Sequence, residues 1–134
     1  MMTRDEFVDL YMDRLVDPPR SAKPDPKRRK RYRASKEEWT DMHLVFRGSR
    51  CRVCKWRAGT ELHHILGRPH GGDDVIINLA PLCSEDHRRI TDNEPAALAA
   101  LRANLNPANL GYLQDRLGVR WDAWLDRKYP EMVA

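Results

Sequence analysis

The sequence predicts a small α+β domain, and three observations carry that expectation. Residues 60–91 read as strand, turn-rich loop, second apolar strand and helix. Helix starts with their own capping chemistry lie on both sides of that stretch. The groups that bind metals or move protons are concentrated between them: Cys51 to His87 holds all three cysteines and four of the five histidines. A length of 134 residues suits one domain with a small appendage at either end. With 41% hydrophobic and 33% charged residues, a compact core is expected for part of the chain only.

From the N-terminus, Met2 to Val16 places Phe7, Val8, Leu10, Tyr11 and Leu15 among acids and arginines, the spacing of one short amphipathic helix. Thr3 and Glu6 supply its capping box, and Asp17-Pro18-Pro19 ends it, because tandem prolines cannot continue the hydrogen-bond ladder. Arg20 to Arg33 then holds eight Lys/Arg and one acid, Asp25, a local excess of seven positive charges. The rest of the chain is slightly negative, so the net charge of +4 is concentrated in this arm. Rich in proline and nearly free of apolar residues, the arm is expected to be extended or disordered. Its cations Lys27, Arg28, Arg29, Lys30, Arg31 and Arg33 suit a phosphate backbone, since each neutralised phosphate releases condensed counterions; a solvated linker has the same composition.

Ser35 and Glu38 form a second capping box, opening a helix through about Phe46 that Gly48 stops. Cys51 and Cys54 follow at the spacing that points two sulfurs at one Zn2+ from a tight knuckle. Thr60 to Ile65 reads as a strand carrying His63 and His64, and Gly67 to Asp74 as a loop. Val75, Ile76, Ile77 and Leu79 read as the second strand, with Asn78 inside it. Ser84 is the expected N-cap of a helix bearing Asp86 in its first turn and His87 after it. Beyond Thr91, Asp92 or Asn93 should cap a helix through Leu105 with Pro95 in its first turn. Pro107 to Leu117 and Arg120 to Tyr129 complete the chain as two more helices, whose Trp121 and Trp124 read as packing residues.

The central segment resembles the HNH endonuclease family, on His63-His64-Ile65, Gly71-Gly72, Asn78-Leu79 and His87 arriving in order. The resemblance covers about residues 50 to 91 and implies a ββα-metal (His-Me finger) core, often clamped by a structural zinc. It implies a metal-dependent DNA endonuclease or nickase that leaves 5′ phosphate and 3′ hydroxyl ends. In that scheme His63 and His87 hold one catalytic divalent ion (Mg2+, Mn2+, Ni2+ or Zn2+) and His64 is the general base. Imidazole, with an ordinary pKa of about 6.5, removes protons near neutral pH. Adjacent strand residues point to opposite faces, which suits two different tasks for His63 and His64. Asn78 would hold the loop that orients His64.

Two positions depart from the family pattern. Thr91 stands where some relatives carry a further ligand histidine, and Asp86 stands where the fourth zinc cysteine is usual. Cys51, Cys54 and Cys83 with Asp86 are therefore the expected structural Zn2+ ligands, while Asp86 equally suits the start of a helix. Arg68 in the loop is a further expected phosphate contact and His70 beside it an exposed residue; Glu61 shares a strand face with His63, within reach of a bond to it, but reads first as a surface carboxylate.

The expected organisation is a helix and flexible basic arm over 1–34, a nuclease core with its preceding helix over 35–92, and a helical extension over 93–134. DNA is the expected partner, acting on a monomer or weak dimer. Small members of the family are frequent in bacteriophages, where some serve the genome-packaging machinery, and that setting is implied by resemblance and size. No apolar run approaches the roughly 20 residues that cross a bilayer, and no secretory leader is evident, so a cytoplasmic location without membrane association is expected. A zinc-stabilised nucleic-acid-binding module without catalysis is the competing reading.

Overall fold

The computed structural model describes residues 31–132. The helix expected over residues 2–16, and Lys27 to Lys30 of the basic arm, lie outside the described residues. The class is α+β: helices α1 (Lys36–Val45), α2 (Ser84–Thr91), α3 (Pro95–Ala103), α4 (Pro107–Leu117) and α5 (Trp121–Lys128) accompany a two-stranded sheet of β1 (Glu61–His64) and β2 (Leu79–Leu82). Among the described residues no helix is long and apolar enough to cross a membrane.

Two compact units make up the chain, one of residues up to Arg47 with His64–Leu79, the other of Gly48–His63 with residues from Ala80 on. In the first unit α1 starts at the Ser35–Glu38 capping box and buries Met42 and Val45. Ile65, Leu66, Val75 and Leu79 are buried in the same unit. Its long loop folds back on itself at Gly71-Gly72. Gly71 adopts φ +88°, and a Cβ on Gly72 would stand 1.7 Å from the Leu66 carbonyl oxygen, so only glycine fits there.

The second expected strand is displaced along the chain. Ile76–Asn78 forms a 3-10 turn, closed by the Asn78 amide on the Val75 carbonyl at 3.0 Å, and extended pairing begins only at Leu79. The cause is Asn78: its side chain is spent inside the loop and cannot occupy a strand face.

In the second unit the knuckle is a short antiparallel excursion closed at the Arg50–Ala58 bridge, by Cys51 N–H on the Arg57 carbonyl and by Gly59 N–H on the Ser49 carbonyl. Lys55 takes the left-handed conformation (φ +67°) that turns the chain after Cys54. The N-cap of α2 is Cys83 rather than the expected Ser84, because the Cys83 sulfur accepts from the Asp86 amide and Ser84 is already the first helical residue. Glu94, not Asp92 or Asn93, precedes α3. Asn93 is instead used in a left-handed conformation (φ +56°) to end α2. The α4 start has a full capping box from Asn106 and Asn109. Helix α3 packs on α2 and α5 on α4, burying Ile90, Leu98, Leu101, Tyr112, Leu113, Leu125 and Tyr129.

Candidate catalytic and metal centres

In the first unit, His64 Nε2 lies 2.8 Å from Asp74 Oδ1. Asp74 is buried and receives Arg68 through both carboxylate oxygens, at 3.0 and 3.1 Å, while Oδ2 also accepts the Ala34 amide at 2.9 Å. Arg68, expected to meet phosphate, is thus held by Asp74, and its guanidinium lies over the Trp39 ring at 5.5 Å. Trp39 also meets His64 edge-on, with ring centroids 5.6 Å apart. Burial pushes the Asp74 carboxyl up, but Arg68, the Ala34 amide and His64 together outweigh it and hold the group below its ordinary 3.8. Burial lowers the His64 pKa below 6.5, more than Asp74 raises it, so the ring is neutral at neutral pH.

Asn78 braces this loop. Its side-chain oxygen accepts the Leu66 amide at 2.8 Å, and its Nδ2 donates to the carbonyls of Leu66 (2.9 Å) and Asp73 (3.0 Å). The bonds cross the two residues after His64 to the residue before Asp74. The inner end of the basic arm is tied to the same loop. The Tyr32 amide donates to Asp73 Oδ1 at 2.6 Å, Asp74 N–H donates to the Tyr32 carbonyl, and Arg31 donates to the Arg68 carbonyl. Arg33 is exposed.

In the second unit the His63 and His87 rings meet edge-on, with centroids 5.4 Å apart. His87 Nδ1 is 2.7 Å from Glu61 Oε1, so Glu61, read first as a surface carboxylate with His63 as its possible partner, serves His87. His63 Nε2 is 2.9 Å from the hydroxyl of Tyr129, which is fully buried just beyond α5. Burial pushes that phenol far above its ordinary pKa, so it stays neutral. Arg102 of α3 fixes the position by donating to the Tyr129 carbonyl at 3.1 Å. Thr91 turns its hydroxyl onto the His87 carbonyl of its own helix, at 2.9 Å. His70 is exposed.

The same unit gathers Cys51, Cys54, Cys83 and Asp86, with one ligand atom of each within 4.8 Å of the others. Among the described residues this is the one cluster of three or more metal-ligating groups. Tetrahedral zinc at about 2.3 Å from sulfur places its ligands about 3.8 Å apart, so modest closure suffices. Asp86 Oδ2 receives the Cys51 and Cys83 thiols, both at 3.2 Å, and Oδ1 receives Arg89 at 2.9 Å. Burial is the largest cause raising the Cys51 thiol to about 11. A bound cation would displace such protons and leave thiolates, so both the donor set and its spacing fit zinc. Arg57 donates toward the Cys83 sulfur and pairs with Glu85, which places a second cation beside the cluster.

Sequence reasoning missed Asp74 and Tyr129. Asp74 carries a faint signal, as an acid in the loop between the histidine pair and Asn78. Tyr129 carries none, lying 66 residues from His63. In comparison with known proteins, residues 51–93 match the family model described as HNH endonuclease. No curated protein and no solved structure matches the chain.

Proposed function

We propose, on the match of residues 51–93 to the HNH endonuclease family model, that the chain is a metal-dependent DNA endonuclease that nicks phosphodiester bonds. One observation carries the proposal: each of the consecutive histidines has its Nε2 engaged by a buried orienting group, His63 by Tyr129 and His64 by Asp74. A module that only binds nucleic acid needs neither ring held in one tautomer.

With Nε2–H donated to Asp74, His64 presents Nδ1 as the basic nitrogen. It takes a proton from water as the water oxygen bonds to phosphorus. The P–O3′ bond breaks, leaving a 5′ phosphate and a 3′ oxygen that is protonated from solvent. His63, engaged at Nε2, offers Nδ1 to a divalent cation, and His87, engaged at Nδ1 by Glu61, offers Nε2. When bound, that cation supplies charge neutralisation at the scissile phosphate. Asn78 keeps the loop after His64 in place. Cys51, Cys54, Cys83 and Asp86 would hold a structural zinc, which would stiffen the knuckle and the start of α2. Compact size and the family setting suit phage DNA processing or packaging as the biological context.

Supercoiled plasmid incubated with the protein and Mg2+, Mn2+ or Ni2+ should be nicked, and a chelator control should abolish this. His64→Ala should lose roughly 10²-fold or more in rate while still binding metal and DNA. His63→Ala and His87→Ala should be partly rescued by raised metal. No nicking with any metal would overturn the reading in favour of a binding module, and a His64→Ala defect cured by extra metal would overturn the base assignment alone.

A further inference from the structure

Charge summed over the basic arm conceals a second cationic stretch. Arg47 to Arg57 holds five Lys/Arg and no acid, around the one exposed tryptophan among the described residues. Trp56 is 62% exposed at the end of the knuckle. The exposed indole is held in a fixed setting. The Arg57 guanidinium lies 4.3 Å from the ring centroid and is itself anchored by its ion pair to Glu85. Arg50 donates to the Trp56 carbonyl, and both Arg50 and Lys55 are exposed. Arg52 has a different task, turning inward to the Asn104 carbonyl at 3.2 Å and to Asn109 at 3.4 Å.

We infer that Trp56, with Arg50 and Lys55 beside it, is a second DNA contact that stacks an unpaired base on the indole and takes the neighbouring phosphates on the two cations. Arg57 is the support that orients the ring from one side. Aromatic stacking needs a base face, which a paired stretch hides and a single strand or frayed end presents. The cations suit phosphate, and among the described residues Glu85, already paired with Arg57, is the acid bonded to the group. This contact rests on the DNA reading above and deepens it. It gives the protein a preference for substrate with locally single-stranded character.

The test is binding of the zinc-loaded full chain, without added divalent metal, to a labelled single-stranded oligonucleotide and to the same sequence as blunt duplex. Trp56→Ala should weaken single-strand binding roughly 5- to 150-fold, and duplex binding much less. Trp56→Phe should recover most of the loss. Arg50→Ser and Lys55→Ser should each reduce the slope of log K against log salt by about 0.7 on the single strand. Those two variants keep the test valid even where Trp56→Ala loses its zinc. Wild-type single-strand affinity in Trp56→Ala would overturn this inference and leave the nuclease reading intact, as would equal losses on both DNAs without rescue by phenylalanine. A wild-type protein that binds neither DNA would overturn both.

Discussion

The Tyr129 hydroxyl lies 2.9 Å from His63 Nε2, joining the last helical segment of the chain to the first histidine of its paired set. A neutral, buried phenol at that distance accepts from His63 Nε2–H in one tautomer and donates to Nε2 in the other, so it biases how the ring is protonated and holds its orientation. Tyr129→Phe keeps the ring and its packing against Trp124 and removes only the oxygen. It should shift the His63 tautomer, read by long-range proton–nitrogen correlation NMR of metal-free protein. Affinity for Mn2+ or Ni2+ should fall by about 10-fold, as for other groups that orient a ligand histidine. An unchanged tautomer and unchanged metal affinity would reduce Tyr129 to a packing residue.

Asp74 couples stability to acid. Its carboxyl is held below 3.8 in the folded chain, so its contribution is fully present above that value and is lost as pH falls through the folded value. Asp74→Asn should cost roughly 1.5–3 kcal/mol near neutral pH, the range for hydrogen bonds to a charged group. Relative to wild type, the loss should shrink towards acid. Denaturant melts at a series of pH values measure this, and a penalty that does not depend on pH would refute the charge argument. The same variant should slow nicking on the order of 10- to 100-fold, because His64 loses the partner that orients it.

One zinc per chain should be found by elemental analysis of protein purified without chelator. Asp86→Cys should hold that zinc longer against a competing chelator, since a fourth thiolate is a softer and stronger ligand than a carboxylate oxygen. Asp86→Ala should release zinc faster and lower the melting temperature, because binding free energy at such a site is folding free energy. Absence of zinc from the native protein would leave Asp86 as the acceptor of the two thiols and Arg89 only.

The basic arm should supply much of the affinity for duplex DNA that does not depend on sequence. Replacing Lys27, Arg28, Arg29, Lys30 and Arg31 by serine should flatten the salt dependence of binding by up to about 0.9 per lost phosphate contact. Zinc content should not change. Identical slopes for variant and wild type would show a linker and nothing more.

Local chemistry was legible in the amino-acid order. The Ser35–Glu38 start, the α4 limits and the loop character of Gly67 to Asp74 depend on bonds or contacts reaching few residues along the chain, whereas the Asn106–Asn109 capping box was not read from it. The Cys51–Cys54 and Cys83–Asp86 spacings are likewise local, but the meeting of the two pairs, with Cys51 and Asp86 35 residues apart, is tertiary. The register of β2 was not legible, because the hydrophobic run from Val75 looks alike whether Asn78 faces a strand surface or turns into the loop. The partners of the three histidines depended on tertiary structure alone. Glu61 shares a strand face with His63, yet its carboxylate bonds to His87, whose ring lies against His63. Asp74 reaches His64 across a loop of ten residues, and Tyr129 reaches His63 across 66. A hydrogen bond requires an approach within about 3 Å. Over such separations the path of the chain, rather than the spacing of residues, decides which polar group arrives.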